Sequence, residues 1–382
     1  MDLKLFFSPV PDEVMTDLED QHSFYKSIYI FREKMPAYKD SDLVLFGINE
    51  YRGSEDTQPM FSGPDQIRRK LYRLKKGSGS YRITDVGNLN PGHSQEETVL
   101  RIKEVCEYLL NHNIMPILLG GSHDLDLGQF LAYEGLEKLV SFLNIDALVD
   151  MKEHPSAASL NHTQQIILHQ PNFLFNYLQL AYQSYLIDND TLSALEKLCF
   201  ETYRIGLIHH NIKEMEPVVR EADLMSFDIN AVKSSDAPGS VHAQPFGLTG
   251  EEACQLCWYA GMNEKLSSAG FYGYHPDLDD QNLKTAAVIS TMIWYLIEGF
   301  YNRKDTLDYR SNDYLRYVVA MPVDPETLVF YKSKKSEKWW MEVGVPTNSQ
   351  KHLRVPCSYS DYQMATKGEV PDRYINIQSR IF

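Results

Sequence analysis

The sequence predicts an α/β fold in which helices cover both faces of a parallel sheet. Between residues 41 and 305, short apolar runs alternate with stretches whose apolar residues have helical spacing. Each apolar run ends at glycine or at polar residues, and parallel sheets place their sites at such strand ends. Beyond Thr306 the pattern changes to segments rich in tyrosine, lysine and tryptophan. We therefore expect a large α/β domain followed by a different structure.

The individual elements follow in a regular order. Residues 42–48 (DLVLFGI) are typical of a buried strand that ends near a glycine. The segment 63–74 (GPDQIRRKLYRL) predicts a helix, because Pro64 stands just inside its start, where its missing N–H costs nothing. From the same patterns we expect helices over 96–111 and 285–301 and strands over 114–119, 139–145 and 222–229.

The chain divides into three parts on this pattern. Residues 1–40 form an N-terminal segment, 41–305 the α/β domain and 306–382 a C-terminal extension. In the extension, TLVFYKSKKSEKWWMEV (327–343) predicts a β-hairpin around a lysine-rich turn. Trp339 and Trp340 point to opposite faces of such a strand, so at least one should pack against the main domain or a second subunit.

Charge and composition exclude several classes of partner. The 382 residues carry 52 Asp and Glu against 37 Lys and Arg, a formal charge of -15, which repels nucleic acid. The apolar run 286–297 contains Ser290 and Thr291 and is too short to cross a bilayer, so no membrane partner is expected. Five cysteines in a long chain fit a reducing compartment. A cytoplasmic protein of enzyme size is predicted.

Three polar clusters at strand ends contain the residues suited to chemistry. They are GGSHD (120–124), NIDALVD (144–150) and SFDIN (226–230), and each follows an apolar run. One histidine and several aspartates at one rim of a sheet suit Mn, Fe or Zn. An aspartate at a strand end also serves as a helix cap or turn residue, so spacing alone leaves both interpretations open.

The ordered set of motifs resembles the ureohydrolases, the family of arginase, agmatinase and formimidoylglutamase. That family carries GGDH, DAHxD and SFDxDxxDP, and this chain has GGSH at 120–123, DALVD at 146–150 and SFDINAVKSSDAPG at 226–239. Segments 63–68 and 245–253 resemble the family's GPxxIR and PGGLTxxE stretches. The resemblance runs from about Leu43 to Gly299, is strongest toward formimidoylglutamase, and implies a three-layer α/β/α fold with a mostly parallel sheet and a dimetal, usually dimanganese, site.

The resemblance also implies which residues hold metal. One ion would take His123, Asp146, Asp150 and Asp228, all of which are present. The second ion would share Asp146 and Asp228 and add two ligands of its own. Those two positions are Leu148, which has no lone pair, and Asn230, whose neutral amide is a weaker ligand than a carboxylate. We therefore expect one manganese ion per chain and an empty second site.

Three further positions bear on substrate. Gly273 stands where the family's VEVNP segment has the glutamate that pairs with a guanidinium, so a charge-assisted contact is missing. His162, twelve residues after Asp150, is a candidate for the family's proton-shuttling histidine, or a loop histidine with no role. Lys152 occupies the place of a formimidoylglutamase arginine that meets a substrate carboxylate, or is a solvated surface lysine.

Two functional hypotheses follow. The first is a formimidoylglutamase-like, metal-dependent hydrolase of C–N bonds in linear amidines or guanidines, with impaired or altered activity because the second metal site is degraded. The alternative is a catalytically inactive protein, a pseudoenzyme of this fold, that binds a ligand or acts as a scaffold through its extension. In both cases the expected partner is a small amidine or guanidine, and a homo-oligomer is left open.

Overall fold

In the computed structural model of the chain, a large sheet lies between two layers of helices. The structure describes residues 2–55, 57–136, 138–305, 308–309, 311–322, 324–345 and 348–381. The strands that belong to the central sheet are β1 (Phe7–Ser8), β2 (Tyr29–Ile30), β3 (Leu43–Gly47), β4 (Ile83–Leu89), β5 (Met115–Leu119), β6 (Val140–Ile145), β7 (Leu174–Tyr182), β8 (Glu201–Arg204), β9 (Leu224–Asp228) and β10 (Ser268–Tyr272).

Within the described residues, the central sheet has the strand order β1-β4-β3-β5-β10-β9-β6-β7-β8, with β2 beside β4. All its pairings are parallel except that of β1 with β4. The N-terminal segment thus contributes two short strands to the edge of the sheet. Helices that flank the sheet are α1 (Gly63–Leu71), α2 (Gln95–Asn111), α3 (Asp126–Leu131), α4 (His162–Leu168), α5 (Asn189–Lys197), α6 (Ile205–His210), α7 (Met215–Val219), α8 (Gly250–Gly261) and α9 (Lys284–Tyr301).

Side-chain alternation along the strands explains the two helical layers. Leu43 and Leu45 of β3 face a buried cluster that includes α1, α8 and α9. Val44 and Phe46 face the opposite cluster, which includes α2. A strand that is apolar on both faces can be covered only by helices on both faces. The predicted three-layer α/β/α fold with a mostly parallel sheet is confirmed.

One predicted helix is shorter than expected. The pattern predicts a helix over 63–74, but α1 ends at Leu71. The carbonyls of Tyr72 and Leu74 instead accept hydrogen bonds from the backbone of Tyr25 and Phe24. Contact with the N-terminal segment therefore replaces the last helical turn.

The C-terminal extension contains a separate antiparallel sheet. Its strands are paired in chain order, and residues 327–345 form a hairpin that turns at residues 334–338, as predicted. The proposed boundary of the extension, Thr306, lies outside the described residues. The elements of the extension are β11 (Tyr314–Ala320), β12 (Thr327–Ser333), β13 (Trp339–Val345), β14 (Asn348–Cys357), α10 (Tyr359–Thr366) and α11 (Asp372–Ile381).

The extension packs against the α/β domain through buried arginines. Arg220 donates to the backbone carbonyl of Trp339 at 3.0 Å, and its guanidinium lies 4.5 Å from the ring centroid of Trp340. Arg380 of α11 reaches the other way and pairs with Glu201 and Glu221 of the domain. The two tryptophans lie in different buried clusters, as expected for neighbours on a strand. None of the described helices has the length and apolar character needed to cross a membrane.

Candidate metal centre

Three strands, β5, β9 and β6, bring the predicted ligands to one place. Together with β10 they lie side by side at the centre of the sheet in the order β5-β10-β9-β6. His123 follows β5, Asp228 ends β9, and Asp146 and Asp150 follow β6. Because the strands are parallel, their carboxyl ends share one edge. All four side chains are buried there.

One nitrogen and three carboxylate oxygens point at a common spot. Nδ1 of His123 lies 3.2 Å from Oδ2 of Asp146, 3.3 Å from Oδ2 of Asp228 and 3.8 Å from Oδ2 of Asp150. Although Nδ1 of His123 and Oδ2 of Asp146 are close, neither makes a well-oriented hydrogen bond to any described residue. A buried polar atom without a partner is costly. Imidazole and carboxylates with unused lone pairs fit a divalent ion such as Mn²⁺.

The backbone fixes the carboxylates of Asp146 and Asp228, the two that both ions were predicted to share. Oδ1 of Asp146 accepts the N–H of Leu148 at 2.9 Å, and Oδ1 of Asp228 accepts the N–H of Asn230 at 2.7 Å. Both donors are main-chain groups, which any residue other than proline supplies. The carboxylates therefore keep their orientation although the side chains at positions 148 and 230 are not good ligands.

The side where a second ion would lie is built differently. Leu148 lines the cavity there. The Oδ1 atom of Asn230 accepts the N–H of Ala147 at 3.1 Å. The atom of this side chain best suited to bind a metal ion is therefore already engaged in a hydrogen bond. Sequence reasoning placed two weak positions here, and the structure adds that the amide oxygen of one of them is turned toward the backbone.

Gly273 leaves no room for a side chain. Its φ angle is 74°, in the left-handed region that favours glycine. A Cβ at this position would lie 2.5 Å from Oδ1 of Asp228, closer than atoms that are not bonded approach. A side chain at position 273 would therefore meet both backbone strain and the carboxylate of Asp228.

His162 lies behind the ligands rather than in the cavity. Its side chain is 1% exposed, Nδ1 is 2.8 Å from Oδ1 of Asp126, and Nε2 is 3.1 Å from Oδ2 of Asp150. Both ring nitrogens are engaged by carboxylates. With Asp150 and His123 it also forms a group of ligand atoms close enough to hold an ion. Lys152 is exposed and does not line the cavity.

Burial and mutual charge shift the protonation of these groups. Burial and the nearby His162 act to lower the pKa of His123, but the close carboxylate of Asp146 and the negative charges of Asp126 and Asp228 outweigh them and raise it to about 9. Burial, together with the negative charge of Asp146 and despite the opposing effect of His123, raises the pKa of Asp228 to about 7. Such crowding of carboxylates is typical of a site that a cation neutralises.

The cavity at this edge is small. Its volume is about 30 Å³, room for roughly two water-sized spheres. Five polar residues that line it were missed, because the sequence prediction concentrated on motif positions and these residues come from loops far apart in the chain. They are Tyr51, Ser54, Ser159, Ser240 and His242.

Two buried residues behind the ligands were also missed. Asp126 and Ser226 contact His162 and His123 and have no exposed surface. Asp126 stands two residues after Asp124 in the run HDLDLG, and this local sequence does not distinguish its role from that of Asp124. Ser226 was noted only as part of its motif.

These observations define the class of protein. Residues 41–298 match the sequence profile of the arginase family, and the chain belongs to that family. Among curated relatives, the formimidoylglutamase of Geobacillus sp. (strain WCH70) is 23% identical over 265 residues, covering 66% of this chain and 81% of that protein. The formimidoylglutamase of Staphylococcus aureus (strain MRSA252) is 26% identical over 252 residues, covering 62% and 78%.

Solved structures show the same fold. Trypanosoma cruzi formiminoglutamase with Mn²⁺ matches with a TM-score of 0.64 at 18% identity, covering 70% of this chain and 96% of that one. The formimidoylglutamase of Bacillus subtilis matches with a TM-score of 0.65 at 18% identity, covering 75% and 95%. The family suggested by the motifs is thus confirmed, with formimidoylglutamases among its relatives.

Proposed function

We propose that this chain is a metal-dependent hydrolase of C–N bonds in linear amidines, related to formimidoylglutamase, whose activity is weak because it holds one ion instead of two. The observation that carries this proposal is the contrast within the site. His123 and Asp146 present unpartnered atoms to a shared spot, whereas Asn230 turns its oxygen to the backbone. One half can take an ion, and the other lacks ligands.

Each residue of the proposed site has a stated task. His123, Asp146, Asp150 and Asp228 would hold one divalent ion, with Mn²⁺ suited to this set of nitrogen and oxygen donors. Such an ion lowers the pKa of bound water and polarises the substrate. The main-chain N–H groups at positions 148 and 230 keep the carboxylates oriented.

The weakness of the proposed activity has three causes. Leu148 supplies no ligand, Asn230 has its amide oxygen engaged, and Gly273 supplies no carboxylate for a cationic amidine. The lost second ion removes electrostatic stabilisation of the transition state, a contribution of several kcal/mol in two-metal sites. Guanidinium substrates such as arginine and agmatine suffer most, because they also need the missing carboxylate.

We propose different roles for His162 and Lys152. His162 contacts Asp150 and Asp126 with both nitrogens, so its proposed role is to hold a ligand and exchange protons through that contact. Lys152 is exposed and does not line the cavity, so its contact with a substrate carboxylate has no support from the geometry of the site. The half-buried His242, which does line the cavity, is the better-placed group for proton exchange with a bound molecule.

A second candidate function is an inactive binding or scaffold protein. The cavity of about 30 Å³ favours it, because an amino-acid amidine is far larger. The site would then hold an ion for stability, and the extension would provide contacts with a partner. For both candidates we propose a cytoplasmic protein that acts on or senses a small molecule, and a homo-oligomer remains a proposal.

Metal analysis combined with turnover assays tests both candidates. The purified full chain is loaded with Mn²⁺, its metal content is measured, and hydrolysis of formimidoylglutamate, agmatine and arginine is followed. We expect one ion per chain, slow turnover of formimidoylglutamate and negligible turnover of the other two. Two tightly bound ions or rapid arginine hydrolysis would overturn the proposal. One ion without any turnover would favour the inactive candidate.

A further inference from the structure

Asp126 is a fully buried carboxylate behind the metal centre. It begins the short helix α3, is 0% exposed and does not line the cavity. Both of its oxygens accept hydrogen bonds. Oδ1 lies 2.8 Å from Nδ1 of His162, and Oδ2 accepts the hydroxyl of Ser226 at 2.9 Å. A buried charge is retained only where it is well paired.

Each of these hydrogen bonds continues to a predicted metal ligand. From His162, Nε2 reaches Oδ2 of Asp150 at 3.1 Å. From Ser226, Oγ lies 3.0 Å from Nε2 of His123. One carboxylate is thus connected through two different side chains to two of the four ligands, which follow different strands of the sheet.

The direction of the bonds sets the form of His123. An ionised carboxylate only accepts, so the Ser226 hydroxyl donates to Asp126. The serine oxygen is then an acceptor for N–H at Nε2 of His123. In neutral His123 this leaves the lone pair on Nδ1, the atom that faces Asp146, Asp150 and Asp228. Metal-ligating histidines are commonly oriented in this way through their second nitrogen.

We propose that Asp126 is the positioning residue of the metal centre: through Ser226 it holds His123 in the form that binds metal at Nδ1, and through His162 it holds Asp150. The inference deepens the proposed function and rests on it, since it requires that the site take a divalent ion. Asp126 itself touches neither the ion nor the substrate.

The test compares Asp126→Asn with a matched control. Asparagine keeps the shape of aspartate but offers an N–H₂ group, so the Ser226 hydroxyl can turn and donate to Nε2 of His123. This favours the tautomer with its proton on Nδ1, which has no lone pair there for a metal ion. The control is Asp124→Asn, two residues away. Asp124 is also buried and accepts from Gln95, but among the described residues no side-chain hydrogen bond connects it to a predicted ligand.

Affinity for Mn²⁺ is measured by titration calorimetry on the full chain, with the EPR spectrum of bound Mn²⁺ and the melting temperature without metal recorded for each variant. We expect Asp126→Asn to bind Mn²⁺ about 10- to 100-fold more weakly, with an altered spectrum. Asp124→Asn should bind within about threefold of the wild type. Ser226→Ala removes only the serine link and should weaken binding by about tenfold.

The outcomes separate this inference from the proposed function. If the wild type binds Mn²⁺ and Asp126→Asn binds it as well as Asp124→Asn does, the positioning role is wrong. If Asp126→Asn does not fold, an unchanged affinity in Ser226→Ala overturns the inference by itself. Weak binding in both variants, with no amidine turnover by the wild type, supports the positioning role and refutes the hydrolase. A wild type that binds no divalent ion overturns both.

Discussion

The candidate metal centre has two halves, one at each of the two predicted metal positions. The halves share the carboxylates of Asp146 and Asp228 but differ in their other residues. On one side, His123 and Asp150 complete a set of ligands whose atoms converge. On the other, Leu148 and Asn230 stand at the proposed second-metal positions, and Gly273 has no side chain. Main-chain N–H groups hold the shared carboxylates. The proposed loss of the second ion would therefore leave the geometry of the first half unchanged.

The largest effect on metal binding is expected from Asp146→Ala. This change removes a ligand and leaves Nδ1 of His123 facing less negative charge, so binding of Mn²⁺ should fall below detection. Titration calorimetry on the full chain measures it. The control is Leu148→Ala on the other side of the cavity, which should bind like the wild type. Equal losses in both variants would show that the two halves are not separable.

Repair of the second half should add an ion but little activity. In Leu148→His with Asn230→Asp, the new carboxylate can still accept the N–H of Ala147 with one oxygen and offer the other to metal. We expect the Mn²⁺ content to rise from about one to about two per chain. Turnover of arginine and agmatine should stay negligible, because position 273 still lacks a carboxylate.

Metal analysis and arginine hydrolysis assays check this variant, with Asn230→Asp alone as the control. The single variant should remain near one ion, since Leu148 still gives no lone pair. Vigorous arginase or agmatinase activity in the unmodified, Mn²⁺-loaded chain would contradict the comparison between the halves and point to ligands supplied by other residues, with His162 and His275 the first to test.

The sequence predicted the parts of the site that depend on local pattern. Apolar runs followed by polar residues located the ends of β5, β6 and β9, and the order of the motifs selected four candidate ligands, whose side chains the fold brings together. Local pattern succeeds here because parallel strands are buried on both faces and are therefore apolar, and because sites in such sheets lie just beyond the carboxyl ends of the strands. The lengths of helices were less well predicted, as Tyr72 and Leu74 show, because tertiary contacts decide where a helix stops.

Long-range hydrogen bonds were beyond the sequence. Asp126 contacts His162 and Ser226, which are 36 and 100 residues away along the chain. The sequence around Asp126 does not predict these partners. The orientation of the Asn230 amide depends on Ala147, 83 residues away. Such pairings require the folded arrangement of strands, and a single sequence gives residue types without their neighbours in space.

A smaller effect is expected at Gly273. Alanine there must adopt a left-handed backbone, which costs about 1–2 kcal/mol, and its Cβ would press on Asp228. We expect Gly273→Ala to lower the free energy of unfolding by at least that amount and to weaken Mn²⁺ binding. Gly273→Glu should do the same without adding arginine turnover.

Gly250→Ala is the matched control for Gly273→Ala. A Cβ at Gly250 would meet its nearest neighbour at 3.7 Å, an ordinary contact, at the start of α8. This variant should leave the free energy of unfolding unchanged or slightly increased, measured by urea denaturation. If Gly273→Ala were equally harmless and kept its metal affinity, the steric account of the missing glutamate would be wrong.

Arg380→Ala, in the extension, should have the smallest effect on metal binding. Its effect on stability should be large. Arg380 is 3% exposed and lies between Glu201 and Glu221, the latter at 3.0 Å. Its removal takes the arginine ion pair away from two buried carboxylates, which keep only hydrogen bonds such as those from Asn176. Breaking such a buried ion pair costs about 3–5 kcal/mol of unfolding free energy. The exposed pair of Lys335 with Asp313 provides the control, and Lys335→Ala should cost at most about 1 kcal/mol.

The dependence of this loss on pH has a definite sign. Burial and the charge of Glu201 already raise the pKa of Glu221, and Arg380 opposes them. Without the arginine, the folded state should bind a proton at Glu221 still more tightly than the unfolded state does, so acid favours folding at this group. The deficit in unfolding free energy of Arg380→Ala relative to the wild type should therefore shrink as the pH is lowered from 8 to 5, as measured by urea denaturation.

The Mn²⁺ affinity of Arg380→Ala should stay within about twofold of the wild type, since Glu221 precedes β9 and the predicted ligand Asp228 stands at its far end. A loss of metal binding as large as that of Asp146→Ala would show that the first half of the centre depends on the extension as well as on its own strands.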